Sequence, residues 1–127
     1  MTNLQHTDLF IDGKWQKAQE GRTFPVENPA SQSEIARVAD GGPDEARAAV
    51  DAAWGAFQSW SRESVYERCR LLRLWFEAMM DEREALASLI TLENGKPLAE
   101  ARGEVDYAAS FVEWFAEEGK RVYGRTI

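Results

Sequence analysis

A few short strands followed by about four helices, an α+β arrangement, is the fold class this sequence predicts, and three observations carry it. The opening residues place Asp12-Gly13 between two apolar and aromatic triplets, the pattern of a tight hairpin. From Ala46 onward apolar residues recur every three or four positions, the period of a helix face. Between the two regimes stands Gly41-Gly42-Pro43, turn chemistry that also suits the start of a helix. The hairpin and strands are expected within residues 8–39 and the helical part within 43–124.

Residues Met1 to Thr7 are polar and aperiodic, and a frayed, solvated tail is expected, with His6 in it. Leu9-Phe10-Ile11 and Lys14-Trp15-Gln16 then flank Asp12-Gly13, which accepts the positive backbone angles of a two-residue turn. Two more extended pieces follow, Thr23 to Glu27 and Glu34 to Ala39. They are separated by Asn28-Pro29-Ala30-Ser31-Gln32-Ser33, where Asn before Pro is steered out of the helical region. Pro43 at a first helical position, with Asp44 and Glu45 in the first turn, opens a helix whose apolar stripe is Ala46, Val50, Ala53, Trp54, Phe57 and Trp60. Ser64-Val65-Tyr66-Glu67 fits a capping box for a second helix with the face Val65, Cys69, Leu72, Phe76 and Met79. A shorter third helix carries Leu86, Leu89 and Ile90. Gly95 is suited to a left-handed stop, and Pro97 to the first position of a fourth helix. The face of that last helix runs Leu98, Ala101, Val105, Ala108 or Ala109, Val112 and Phe115.

At 127 residues the chain suits one core, and its 44% hydrophobic content is that of an ordinary globular domain. A formal net charge of -7 argues against nucleic acid or an anionic membrane as partner, since both demand a clustered basic face. No apolar run approaches the roughly 20 residues of a membrane span, and the start lacks a basic region followed by an apolar signal core. A cytoplasmic chain is expected. The single cysteine, Cys69, has no internal partner, which suits a reducing compartment. No internal repeat or low-complexity tract is visible.

Few residues offer chemistry. Cys69 lies on an apolar stripe between Val65 and Leu72, which predicts a buried packing thiol, not a nucleophile. A lone His6 has no second histidine with which to share a metal. Gly41-Gly42 precedes a helix as a phosphate-binding turn does, but Pro43 removes an amide and no third spaced glycine follows. Gly95-Lys96 has no phosphate-loop spacing. Both read as helix boundaries. The adjacent acids Asp81-Glu82 and Glu117-Glu118 diverge on a helix and are expected on solvated faces. The aromatic group Phe111, Trp114 and Phe115 could contact a substrate, but its spacing favours core packing.

The run ENGKPLAEARGEV, from Glu93, and FVEWFAEEGKRVYG, from Phe111, resemble the N-terminal part of the aldehyde dehydrogenase superfamily, the second being most similar to succinate-semialdehyde dehydrogenases. Leu9-Phe10-Ile11-Asp12-Gly13-Lys14-Trp15, Phe24-Pro25-Val26-Glu27-Asn28-Pro29-Ala30, Trp75-Phe76 and Met79-Met80 resemble the family in the same order. The resemblance therefore covers nearly the whole chain. Family members are several times longer, so it implies that residues 1–127 are the opening segment of an α/β enzyme, with Tyr123 to Ile127 breaking off inside a stretch the family continues.

By the same resemblance, the full enzyme oxidises an aldehyde, succinate semialdehyde above all, with NAD or NADP. A cysteine thiolate adds to the carbonyl, hydride passes to the nicotinamide, and a glutamate-activated water releases the acid. The family's nucleophile belongs to a later motif, so no catalytic or cofactor-binding residue is expected in these 127 residues. One metal site is implied: some members hold a monovalent cation with an acid matching Glu93 and backbone oxygens matching Val26 and Glu27. Glu93 stands where other relatives have Asp, and a helix-terminal charge is the plainer role for it. The expected partners are the remainder of the enzyme chain and further copies in a homo-oligomer. A free-standing helical interaction module is the competing reading.

Overall fold

The computed structural model describes residues 6–124. Its elements run β1 (Leu9–Ile11), β2 (Lys14–Gln16), β3 (Thr23–Glu27), β4 (Glu34–Ala39), α1 (Pro43–Trp60), α2 (Val65–Asp81), α3 (Arg83–Asn94) and α4 (Leu98–Glu118), with short 3-10 turns at Gln19–Gly21 and Gly119–Arg121. The α+β architecture is as expected: two small antiparallel sheets, then four helices. The two 3-10 turns are additions to that expectation. Where length alone suggested one core, the chain divides into two compact units. One comprises Met1–Arg62 with Leu92–Gly95, the other Glu63–Thr91 with Lys96–Ile127.

In the first unit, β1 and β2 pair as a hairpin in the register Leu9 with Gln16, Phe10 with Trp15 and Ile11 with Lys14. Asp12 (φ 53°) and Gly13 (φ 72°) both hold positive φ, the two-residue turn whose twist matches the strands. The expected frayed tail falls partly on Met1 to Gln5, outside the described residues. Thr7 is held, its carbonyl accepting from Ala39 N at 2.8 Å. His6 is exposed, and its ring also stacks on Trp15 with centroids 4.3 Å apart.

β3 and β4 pair from Thr23 with Ala39 to Glu27 with Glu34, with a bulge between Val26 and Glu27. Asn28 closes the connection: its Oδ1 accepts from Ala30 N (2.9 Å) and Ser31 N (3.3 Å), the Asx geometry that its side chain makes available. In α1, Glu45 carries the cap. Its carboxylate accepts from Gly42 N at 2.9 Å and from Gln19 N at 2.6 Å, tying the helix start to the first 3-10 turn.

The second unit packs α2 and α3 against α4. Its core is made of small side chains: Ala87, Ala101 and Val105 cluster with Leu86 and Ile90 around them. Cys69, Ala109 and Ala116 are also buried. Small residues let helix backbones approach, and what they lack in apolar area they recover in close packing. The predicted face of α2 is the covered one, with Cys69 buried and Val65, Leu72, Phe76 and Met79 half-buried.

Gly119 shows how close that approach is, since a Cβ there would stand 2.6 Å from Cys69 Sγ. Ser64 caps α2 by accepting from Glu67 N at 3.1 Å. The return half of the expected capping box is replaced, because the Glu67 carboxylate takes the Arg70 guanidinium at 2.6 and 2.8 Å. Pro97 sits one position earlier than expected. At ψ 137° it is the cap of α4, its carbonyl accepting from Glu100 N and Ala101 N.

Two apolar stripes are left largely uncovered. On α1, Val50, Trp54, Phe57 and Trp60 are 67%, 65%, 51% and 41% exposed, and the helix has no buried residue. On α4 the buried line is Ala101, Val105, Ala109 and Ala116, while Phe111, Trp114 and Phe115 stay about half exposed or more. Among the described residues, those aromatics do not fill the core-packing role expected of them. Ala116 takes the place foreseen for Phe115, because only a small side chain fits so close an interface.

Candidate functional site

The corner after α3 is built by Gly95. Its φ of +79° ends the helix in the left-handed region, where a side chain would be strained. A Cβ at this position would also meet Pro29 Cγ at 3.0 Å, so the corner rests on the chain just beyond β3. Leu92–Gly95 accordingly belongs to the same compact unit as the strands. Glu93 is exposed near the C-terminus of α3, Val26 is half-buried and Glu27 exposed at the end of β3. The bulge falls on the Val26–Glu27 step. Bulges interrupt the ladder and leave backbone groups free to turn toward another partner.

One carboxylate and strand carbonyls are the hard oxygen donors an alkali cation accepts. Among the described residues, no three His, Cys, Asp or Glu side chains gather as a metal-binding group.

The N-terminus of α1 is the other candidate for an anion site. Its Gly42 amide is already committed to Glu45. The backbone amides of Gln19 and Gly42, with Arg22 nearby, hold the Glu45 carboxyl below its ordinary value. A carboxylate kept ionised at the helix start repels a dinucleotide pyrophosphate, so this turn does not fit that cofactor.

Cys69 is 3% exposed. Tyr66, Arg70, Arg73, Leu74, Glu77 and Lys120 surround it in a shallow depression. The basic groups there are spoken for: Arg70 pairs with Glu67, Arg73 with Glu77 and Glu113, and Lys120 with Glu117. The thiol is packed against Gly119, as expected of a buried core cysteine.

The acids singled out earlier behave as surface groups. Asp81 and Glu82 are exposed; Glu117 pairs with Lys120, and Glu118 with Arg121.

The sharpest electrostatics join α3 to α4. Arg83 grips Asp106 with a fork, Nε to Oδ1 at 2.5 Å and Nη2 to Oδ2 at 2.7 Å. Arg102 holds Glu84 in the same way, with bonds of 2.8 to 3.0 Å. The guanidinium partners push both carboxyls below the ordinary range, and Asp106 raises the Arg83 pKa. Sequence reasoning missed this quartet and the Glu45 clamp. Glu45 three residues after Gly42 had the spacing of a reciprocal cap. The quartet joins residues about 20 apart and has no local signature.

A groove of about 310 Å³ lies between the β1–β2 turn and the alanine face of α1, lined by Ile11, Asp12, Gly13, Ala49, Ala52 and Ala56 among others. Asp12 is its one ionisable side chain, too little for catalysis or for orienting a polar ligand.

Residues 15–127 match the model of the aldehyde dehydrogenase family. The succinate-semialdehyde dehydrogenase [NADP(+)] of Escherichia coli is 51% identical over 126 residues, which are 99% of this chain and 26% of that protein. A 3-sulfolactaldehyde dehydrogenase of Pseudomonas putida is 53% identical over 98% of this chain and 26% of its own length. Among solved structures, an E. coli NADP-dependent enzyme superposes with a TM-score of 0.94 at 50% identity, over 100% of this chain and 26% of that one. The betaine aldehyde dehydrogenase of Staphylococcus aureus, in complex with NAD+, superposes at 0.88 with 33% identity, over 92% of this chain and 24% of that one. The chain spans about a quarter of the length of the relatives it matches.

Proposed function

The chain belongs to the aldehyde dehydrogenase family, and from that premise we propose that residues 1–127 form the N-terminal structural part of an NAD(P)-dependent enzyme oxidising succinate semialdehyde to succinate. The observation that carries this reading is the 51% identity, over 126 residues, to a protein named for that substrate. The relative named for 3-sulfolactaldehyde is equally similar. Both names denote short aldehydes bearing an anionic group, so that is the substrate class. The rat and human succinate-semialdehyde dehydrogenases, at 50% and 51% identity, favour succinate semialdehyde within it.

In this division of labour the strands of residues 8–39 and the helices of 43–124 are scaffold. The nucleophile and the nicotinamide site stand elsewhere in the longer protein, and NAD or NADP is held there, not by this segment. The α1 N-terminus, already occupied by Glu45, supports that assignment. The remainder of the enzyme chain and further copies in a homo-oligomer cover the aromatic faces of α1 and α4. The single Cys69 suits a reducing cytoplasm. A free-standing interaction module is disfavoured because a self-sufficient domain buries its large side chains, and among the described residues none is fully buried.

The test compares residues 1–127 with the full-length protein, each given succinate semialdehyde and either NAD or NADP. Reduced cofactor is expected from the full-length protein only, with uncharged aldehydes of similar length turned over more slowly. Steady turnover by residues 1–127, abolished by Cys69→Ser, would overturn the scaffold reading. Equal rates on charged and uncharged aldehydes would remove the substrate assignment.

For the corner, we propose a monovalent cation held by the Glu93 carboxylate with backbone oxygens of Val26 and Glu27. The Val26–Glu27 bulge and the seating of Gly95 on Pro29 support it. Thermal stability should rise with potassium or sodium concentration in the native protein and lose that dependence in Glu93→Gln. Identical salt responses of the two proteins would sink the site.

A further inference from the structure

We draw no further inference here: the strongest candidate, the exposed aromatic face of α4 formed by Tyr107, Phe111, Trp114 and Phe115, is an unpartnered apolar helix surface, and nothing in the structure shows what covers it beyond the remainder of the enzyme already proposed.

Discussion

Replacing Gly119 with alanine probes how tightly α4 closes on α2. The added Cβ would stand 2.6 Å from Cys69 Sγ, well inside the roughly 3.5–4.0 Å of a favourable nonbonded contact. Cys69 is 3% exposed, and a single χ1 rotation is the only side-chain freedom its sulfur has. Backbone conformation does not oppose the change, since Gly119 sits at φ -54° and ψ -31°. Alanine even gains up to about 1 kcal/mol of helical preference over glycine.

Overpacking a close-packed interface costs about 1–3 kcal/mol. The clash therefore outweighs the propensity gain, leaving a net loss of about 1–2 kcal/mol. For a chain of this size that lowers Tm by about 3–8 °C, read by far-ultraviolet circular dichroism. Cys69→Ala removes the sulfur, so the double variant should recover about 1 kcal/mol or more relative to the sum of the single changes. A Gly119→Ala protein that melts at or above the parent temperature, or a mutant cycle with no coupling, would refute the reasoning.

Two other outcomes are expected. Asp106 and Glu84 titrate below their ordinary values of 3.8 and 4.5 because Arg83 and Arg102 hold them ionised. Their stabilisation is complete above those values and is lost as pH falls through the lower folded-state ones. Tm should therefore drop on acidification and drop less in Asp106→Asn, and parallel pH profiles would contradict this. The isolated chain, with Trp114 63% and Phe115 59% exposed on α4, should self-associate; light scattering showing only a 14.4 kDa monomer at high concentration would argue against it.

Element order was readable from the sequence because local chemistry decided it. Asp12-Gly13 has few alternatives to a tight turn, Gly95 ends a helix where its φ is +79°, and Pro43 opens one. The α2 face was equally legible, since Val65, Cys69, Leu72, Phe76 and Met79 are covered as their spacing requires. What sequence could not supply was the identity of the covering surface.

A helical stripe states that a face needs an apolar neighbour, not that the neighbour lies within the same 127 residues. On α4 two adjacent faces compete, one of alanines and Val105, the other of Tyr107, Phe111, Trp114 and Phe115. Hydrophobicity ranks the aromatic face first, yet the small face is the one buried, because close approach to α2 admits only small side chains. The same rule separates the alanines of α1 that line the hairpin groove from exposed Trp54 and Phe57. Small residues close the contacts internal to the segment, and large ones stay exposed. Under the scaffold role proposed above, those large side chains are the ones available for contacts in a longer protein.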